Sequence, residues 1–208
     1  MSPALVLMRH GQSEWNARNL FTGRADPDLT VSGERQAAAA GRLLVTHGLL
    51  PAVAHTSLQL RAIRSTELAL TACGRGSIPV RRSWRLNGRD YGALQGRGKD
   101  EVVREHGEEQ VRLWRRSYAV APPHGESLRD VTARLMPYWY DSIVPDLRTR
   151  GCVLVVSHGN TLRALVKHLD VIGDDEIADV ELPNGVPLYY QLDQRMRPIA
   201  RGGRRLIG

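Results

Sequence analysis

His10 and His158 stand in matching contexts, each ending an apolar run and each followed by glycine. Ala4-Leu5-Val6-Leu7-Met8 leads into Arg9-His10-Gly11, and Val153-Leu154-Val155-Val156 leads into Ser157-His158-Gly159. Short apolar runs with β-branched members read as strands buried on both faces, the pattern of a parallel sheet. Open parallel sheets bind ligands outside the carboxyl ends of their strands. Two strands distant in sequence would thus each deliver an imidazole to one sheet edge.

The neighbours of the two histidines suit phosphoryl chemistry. The planar fork of Arg9 makes bidentate, charge-assisted hydrogen bonds to phosphate. A cation beside His10 lowers its pKa and keeps the ring neutral and nucleophilic near pH 7. Gly11 lets the backbone pass close to a ligand. His158-Gly159-Asn160 opens a helix whose free amides and dipole favour an anion, and His158 adds a donor or cation for the phosphoryl oxygens. Two histidines could also be zinc ligands, but zinc wants three or four protein ligands, and the neighbours here are arginine and serine. No metal is expected.

These residues need elements to hold them. The polar stretch 11–31 is long for a plain connection, which points to function. A helix capped by Ser32 should cover 34–47 and end at Gly48. A strand is expected at 52–55 and a helix at 57–73, stopped by Gly74. Residues 79–98 lack helical periodicity and contain four glycines. Helices are expected at 100–106 and 109–116, a break at Pro122-Pro123, and a helix at 126–142 kinked at Pro137. After the second His-Gly strand come a helix at 160–169 and short strands at 186–192 and 198–201. This alternation predicts an α/β fold, a three-layer sandwich with a mostly parallel central sheet and helices on both faces, as a single domain over 1–208.

Composition bounds the rest. The 208 residues are 42% hydrophobic and 25% charged, as in an ordinary globular protein. No apolar run approaches a membrane span and no secretion leader is visible, so the default location is cytoplasmic. Cys73 and Cys152 are isolated and no disulfide is expected. The net charge of +7 fits either attraction to anions or a compositional bias to arginine, since only Lys99 and Lys167 are lysines. Aromatic residues are only 5%, and no basic tract is interleaved with them, so nucleic acid and membrane are poor candidates as partners. A monomer or small homo-oligomer is expected.

Beyond the histidines, the chain carries RHGQSEWN (9–16), LFTGRADPDLT (20–30), TSLQLRAIRS (56–65), RSWRLNGRDYGALQG (82–96), WRRSYAVAPP (114–123), SHGNTLRALVKHLD (157–170) and GVPL (185–188). In these motifs and their order it resembles the histidine phosphatase superfamily, and within it the cofactor-dependent phosphoglycerate mutases. The resemblance covers nearly the whole length. It implies an isomerase of glycolysis and gluconeogenesis, interconverting 3- and 2-phosphoglycerate and primed by 2,3-bisphosphoglycerate. His10 would be the phosphohistidine nucleophile, with Arg9, Arg61 and His158 around the transferring group and Ser13, Asn16, Gly159 and Asn160 alongside. Thr22, Gly23, Tyr91, Lys99, Arg115 and Arg116 would hold the remainder of a small phosphorylated carboxylate.

The chain also departs from that family. The mutases carry glutamate at the position of Gly88, where its carboxyl group is the general acid and base for the substrate oxygen. An ordinary mutase with impaired turnover, a replacement carboxylate at Asp90 or Glu126, and a changed phosphorylated ligand all remain open. A phosphatase using the same histidine, or a binding protein without turnover, are the alternative functions. Arg24 stands where mutases usually have tryptophan, and the passage from Pro123 to Ser127 is short. The brief segment after Leu192 is expected to leave the site open to water.

Overall fold

The computed structural model describes residues 2–207. Strand β1 (Ala4–Arg9) is followed by a short helix α1 (Glu14–Ala17), then α2 (Val31–Thr46), β2 (Val53–Thr56), α3 (Leu60–Ala72) and β3 (Val80–Arg82). Next come α4 (Lys99–His106), α5 (Glu108–Arg116) and α6 (Leu128–Tyr138), a π-helical turn at Trp139–Ile143, and α7 (Val144–Arg150). Strand β4 (Cys152–Ser157), α8 (Gly159–Asp170), β5 (Pro187–Gln191) and β6 (Arg204–Arg205) complete the order.

The six strands form one sheet ordered β3-β2-β4-β1-β5-β6. β3, β2, β4 and β1 run parallel, while β5 is antiparallel to β1 and β6 antiparallel to β5. The expected α/β fold with a mostly parallel sheet is what the chain adopts. Side chains alternate along a strand, so β1 and β4 feed two apolar layers. Val6, Met8, Leu154 and Val156 pack with Ala40, Leu44, Ala69 and Leu70 of α2 and α3. Leu5, Leu7, Val153 and Val155 pack with Val131, Leu135, Leu147, Leu162 and Leu165 of α6, α7 and α8. A third cluster of Phe21, Leu94, Val102, Val111 and Trp114 fixes α4 and α5 against the loop after β1.

Several local expectations shift. Thr30, not Ser32, caps α2: its hydroxyl accepts from the Gly33 amide at 3.0 Å. The stretch 11–31 contains α1, and 79–98 contains β3, whose Val-Arg-Arg sequence is exposed throughout and carries no apolar signal. The strand expected at 198–201 is reduced to a single bridge between Leu192 and Pro198, and β6 forms instead at Arg204–Arg205. Helix α6 continues through Pro137 and widens into the π turn directly after it. Proline lacks the N–H that would bond one turn back, and a π turn is one way a helix absorbs the mismatch.

His55 has partners that its sequence context does not reveal. It is fully buried on β2, with Nδ1 3.0 Å from the Tyr138 hydroxyl and Nε2 3.1 Å from Asp146. Burial pushes its pKa down to about 4. Among the described residues no helix is long and apolar enough to cross a membrane.

Candidate active site

β1 and β4 are neighbours in register, with Met8 opposite Val156 and Arg9 opposite Ser157. His10 and His158 each follow the last pair, so the sheet itself brings them together. Their ring centroids are 5.0 Å apart with the planes tilted by 60°. Each is only 4% exposed. Both open onto one cavity of about 300 Å³ at the carboxyl edge of the parallel strands.

Local hydrogen bonds fix the chemistry of His10. Its Nδ1 lies 2.7 Å from the Gly11 carbonyl oxygen, which can only accept, so Nδ1 carries the proton. Nε2 is left as a lone pair, and Arg61 Nε donates to it at 3.3 Å. Burial, then the Arg61 and Arg9 charges, lower the pKa well below 6.5 and keep the ring neutral at pH 7. Gly11 leaves no room for a side chain, because a Cβ would run into the Gly33 backbone at the start of α2.

Arg61 comes from the first turn of α3 and reaches under the loop after Phe21. Its Nη1 donates to Ala25 O at 2.8 Å and its Nη2 to Gly23 O at 3.1 Å. Burial is the main reason its pKa falls to about 10. Arg9 donates through Nη1 to Leu182 O at 3.1 Å, and its buried Nε has no partner. His158 precedes α8, whose first residues Gly159 and Asn160 line the cavity. Burial first, then Arg61, depress the His158 pKa well below 6.5.

The rest of the wall holds the other expected residues. Asn16, Thr22, Gly23, Tyr91, Lys99, Arg115 and Arg116 all line the cavity. The Tyr91 phenol accepts from Asn160 Nδ2 at 3.1 Å. Burial alone would raise its pKa, but Arg89, the Asn160 hydrogen bond and Arg115 outweigh this and bring it to about 8. Ser13 is placed elsewhere: its fully buried hydroxyl caps α1 by accepting from the Asn16 amide at 3.3 Å, and it is not part of the wall. Its effect on the cavity passes through Asn16.

Gly88 lies in the wall beside Arg61, and the space around it is closed. A Cβ there would stand 2.9 Å from Gly23 O, 3.2 Å from Gln59 Oε1 and 3.3 Å from Arg61 Nη2. Gln59 holds the arrangement: Oε1 accepts from Gly88 N at 2.6 Å, while Nε2 donates to Gly23 O at 3.1 Å. Neither carboxylate considered as a replacement is in the wall. Glu126 accepts from the Asp90 amide at 2.9 Å and from Arg134 Nε at 2.9 Å. Asp90 accepts from the Gly92 amide at 2.8 Å and pairs with Arg24 at 3.2 Å. Helix α6 is capped by the next residue, Ser127, in a capping box with Asp130.

Sequence reasoning missed three contributors. Arg163 is 4% exposed and joins Asn160 Oδ1 at 3.0 Å to Arg116 O at 2.9 Å, also donating to Ile177 O. Arg89, 1% exposed, donates to Trp114 O at 2.8 Å and lies over the Tyr91 ring at 4.6 Å. These buried guanidiniums satisfy carbonyls at the end of α5, where no intrahelical donor remains. Asn184 donates to His10 O at 2.8 Å. Arg163 and Arg89 stand inside the SHGNTLRALVKHLD and RSWRLNGRDYGALQG motifs, which was the available signal.

Seven cations, Arg9, Arg61, Arg89, Lys99, Arg115, Arg116 and Arg163, thus face one cavity. Glu181 is the one carboxylate among its described lining residues, and it is paired with Arg116 at 2.6 Å. Among the described residues no group of three or more His, Cys, Asp or Glu is placed to hold a metal ion.

Residues 5–194 match the profile of the histidine phosphatase superfamily, branch 1. A Streptomyces griseus protein named 2,3-bisphosphoglycerate-dependent phosphoglycerate mutase is 52% identical, the match covering 96% of this chain and 88% of that protein. Proteins of the same name from a Nocardioides species and from Mycobacterium tuberculosis are 50% and 51% identical, covering 99% and 96% of this chain and 93% and 90% of their own. The match to the Streptomyces protein spans 224 positions, more than the 208 residues of this chain, so that relative carries residues this chain lacks. A solved mycobacterial glucosyl-3-phosphoglycerate phosphatase superposes with a TM-score of 0.82 at 25% identity, covering 100% of this chain and 99% of its own. From its conserved fold and its half-identical relatives alike, the chain belongs to branch 1 of the histidine phosphatase superfamily.

Proposed function

We propose that this protein is a 2,3-bisphosphoglycerate-dependent phosphoglycerate mutase, interconverting 3- and 2-phosphoglycerate through a phosphohistidine at His10. The observation that carries the reading is the cavity in which His10 and His158 meet under seven cations, in a chain half identical to proteins of that name.

The donors of the wall fit a ligand with several anionic groups. Arg9 Nε, Thr22 Oγ1, Arg89 Nε and Nη1, and Arg163 Nε are buried without a partner. An unmet buried donor costs about 1–3 kcal/mol, so phosphate and carboxylate oxygens would be held strongly there. When bound, 2,3-bisphosphoglycerate supplies the phosphoryl group that charges His10.

His10 Nε2 attacks phosphorus, and the Nδ1–H bond to Gly11 O steadies the positive charge that develops on the ring. Arg9, Arg61, His158, Asn16 and the amides of Gly159 and Asn160 hold the phosphoryl oxygens. Thr22, Gly23, Tyr91, Lys99, Arg115 and Arg116 hold the carboxylate and second anionic group. Gly88 supplies no side chain to carry the substrate hydroxyl proton, which solvent gives to the departing oxygen when His10 is charged and takes from the attacking hydroxyl when it is discharged. A positioned acid or base contributes about 10²–10⁴ in rate, and the same group would serve the departing oxygen and the attacking hydroxyl, so charging and discharge of His10 are both slow for the family.

The test is conversion of 3-phosphoglycerate, with a trace of 2,3-bisphosphoglycerate, coupled to enolase. Formation of phosphoenolpyruvate supports the reading. Release of inorganic phosphate with no phosphoenolpyruvate overturns it in favour of a phosphatase.

A further inference from the structure

Ser57 lies behind His158, away from the cavity, and is fully buried. Its Oγ is 2.9 Å from His158 Nε2 and also accepts from the Gln59 amide at 3.2 Å. The other ring nitrogen, His158 Nδ1, is buried and has no partner. Since His158 itself lines the cavity and Nε2 is taken by Ser57 behind it, Nδ1 is the atom left to meet a ligand.

Hydrogen-bond accounting separates the two tautomers. A hydroxyl has one proton and two acceptor sites. In Ser57 one acceptor site takes the Gln59 amide, and His158 Nε2 is the only acceptor among the described residues within hydrogen-bonding distance of the hydroxyl proton. If Nε2 carried the ring proton it would donate to Ser57, leaving the serine O–H buried and unmet. It would also leave Nδ1 as a bare lone pair facing phosphoryl oxygens. A buried unmet group costs about 1–3 kcal/mol, and the imidazole stays neutral through burial and the Arg61 charge, so it has one proton to place.

We infer that Ser57 is a positioning residue: its hydroxyl donates to His158 Nε2 and holds that ring as the Nδ1–H tautomer, aimed at the transferring phosphoryl group. His10 and His158 are then set in opposite senses. His10 offers a lone pair from Nε2, and His158 offers a proton from Nδ1. No bond of His158 is made or broken in transfer; its N–H stabilises negative charge on a phosphoryl oxygen as the P–O bond to the departing substrate breaks and the P–N bond to His10 forms. This role rests on the proposed phosphoryl transfer to His10, whereas the tautomer does not.

The test uses the full chain with ¹⁵N-labelled histidine. Long-range ¹H–¹⁵N spectra should show His158 protonated at Nδ1 in the wild type, and a wild-type ring protonated at Nε2 overturns the inference. In Ser57→Ala the Nε2-protonated form should become populated, and single-turnover labelling of His10 by 2,3-bisphosphoglycerate should slow at least about tenfold, since one lost donor at such a site costs about 10²–10³. Half-saturation for the same ligand should stay within about threefold. An unchanged tautomer or an unchanged labelling rate in Ser57→Ala overturns the role. Should that variant fail to fold, the wild-type spectrum still decides the tautomer. A wild type that is never labelled at His10 refutes the proposed function instead, with the spectrum left standing.

Discussion

The imidazoles of His10 and His158 lie 5.0 Å apart because they extend two hydrogen-bonded parallel strands whose last paired residues are Arg9 and Ser157. Residues far apart in the chain thereby meet at one cavity, and the hydrogen bonds behind the two rings engage opposite nitrogens, Nδ1 of His10 and Nε2 of His158. Both rings are buried among arginines, so both are neutral near pH 7.

That neutrality has a stability consequence. The folded-state pKa of each histidine lies well below the ordinary 6.5, so the unfolded chain binds more protons as pH falls below about 6.5. Their contribution is fully present above that value and declines on acidification. Thermal melts should show Tm falling between pH 7 and pH 5, and His10→Gln should flatten part of the decline. A Tm that holds steady or rises over this interval would refute the assignment.

Tyr91 sets the alkaline side. With its pKa near 8, the phenol becomes phenolate above that pH, adding negative charge to a cavity that binds anions. Half-saturation for 3-phosphoglycerate should rise above pH 8, and Tyr91→Phe should lose that rise. If the alkaline limb persists unaltered in Tyr91→Phe, another group titrates there.

Gly88→Glu should separate activity from stability. The new Cβ meets Gly23 O at 2.9 Å, so the loop after Phe21 must move, and overpacking of this kind costs about 1–3 kcal/mol. The carboxyl group should still raise mutase turnover at least about tenfold, below the ~10²–10⁴ of a fully positioned acid. Denaturant titration and the enolase-coupled assay read the two effects separately. A flat rate in a folded variant would show that the missing carboxyl group does not limit turnover.

Asp90→Asn tests the replacement carboxylate. Asp90 is held by the Gly92 amide and Arg24, outside the cavity wall. Turnover should change by no more than about threefold, far short of the ~10²–10⁴ lost with a general acid. Abolished turnover with an unaltered melt would make Asp90 the acid after all.

Arg163→Met should loosen the substrate arm. Removing this guanidinium leaves the Arg116 carbonyl without a donor, leaves Ile177 O only the long bond from the Val180 amide, and frees Asn160. A buried acceptor left unmet costs about 1–3 kcal/mol, so the melt should fall. Half-saturation should rise more than kcat falls, because Arg115 and Arg116 lose their anchor. A change confined to kcat would place Arg163 at the reacting group.

The legible parts of the site were those written in contiguous sequence. Apolar runs ending in His-Gly announced β1 and β4, because strands buried on both faces leave an unbroken hydrophobic record. Arg9, Gly159 and Asn160 followed from adjacency, and Arg61, Tyr91, Arg115 and Arg116 from motifs shared with a family. β3 and β6 left no record, since short exposed strands of arginine and valine form only when a sheet edge is there to pair with. Ser13 illustrates the reverse: it sits in a motif beside the site, yet its hydroxyl faces its own helix.

The sequence by itself determined the α/β alternation, the two histidines at strand ends, the cationic demand of the cavity and the absence of a carboxyl group at position 88. These are properties of residue type and local pattern, which the chain carries before it folds. Only the tertiary structure decided that Asp90 and Glu126 turn away from the cavity, that Gln59 and Gly23 close over Gly88, and which nitrogen of each histidine bears the proton. Apart from the bond of His10 to the adjacent Gly11 carbonyl, those outcomes depend mainly on hydrogen bonds between residues tens of positions apart, and a buried polar group takes whichever partner the packed elements bring within about 3 Å.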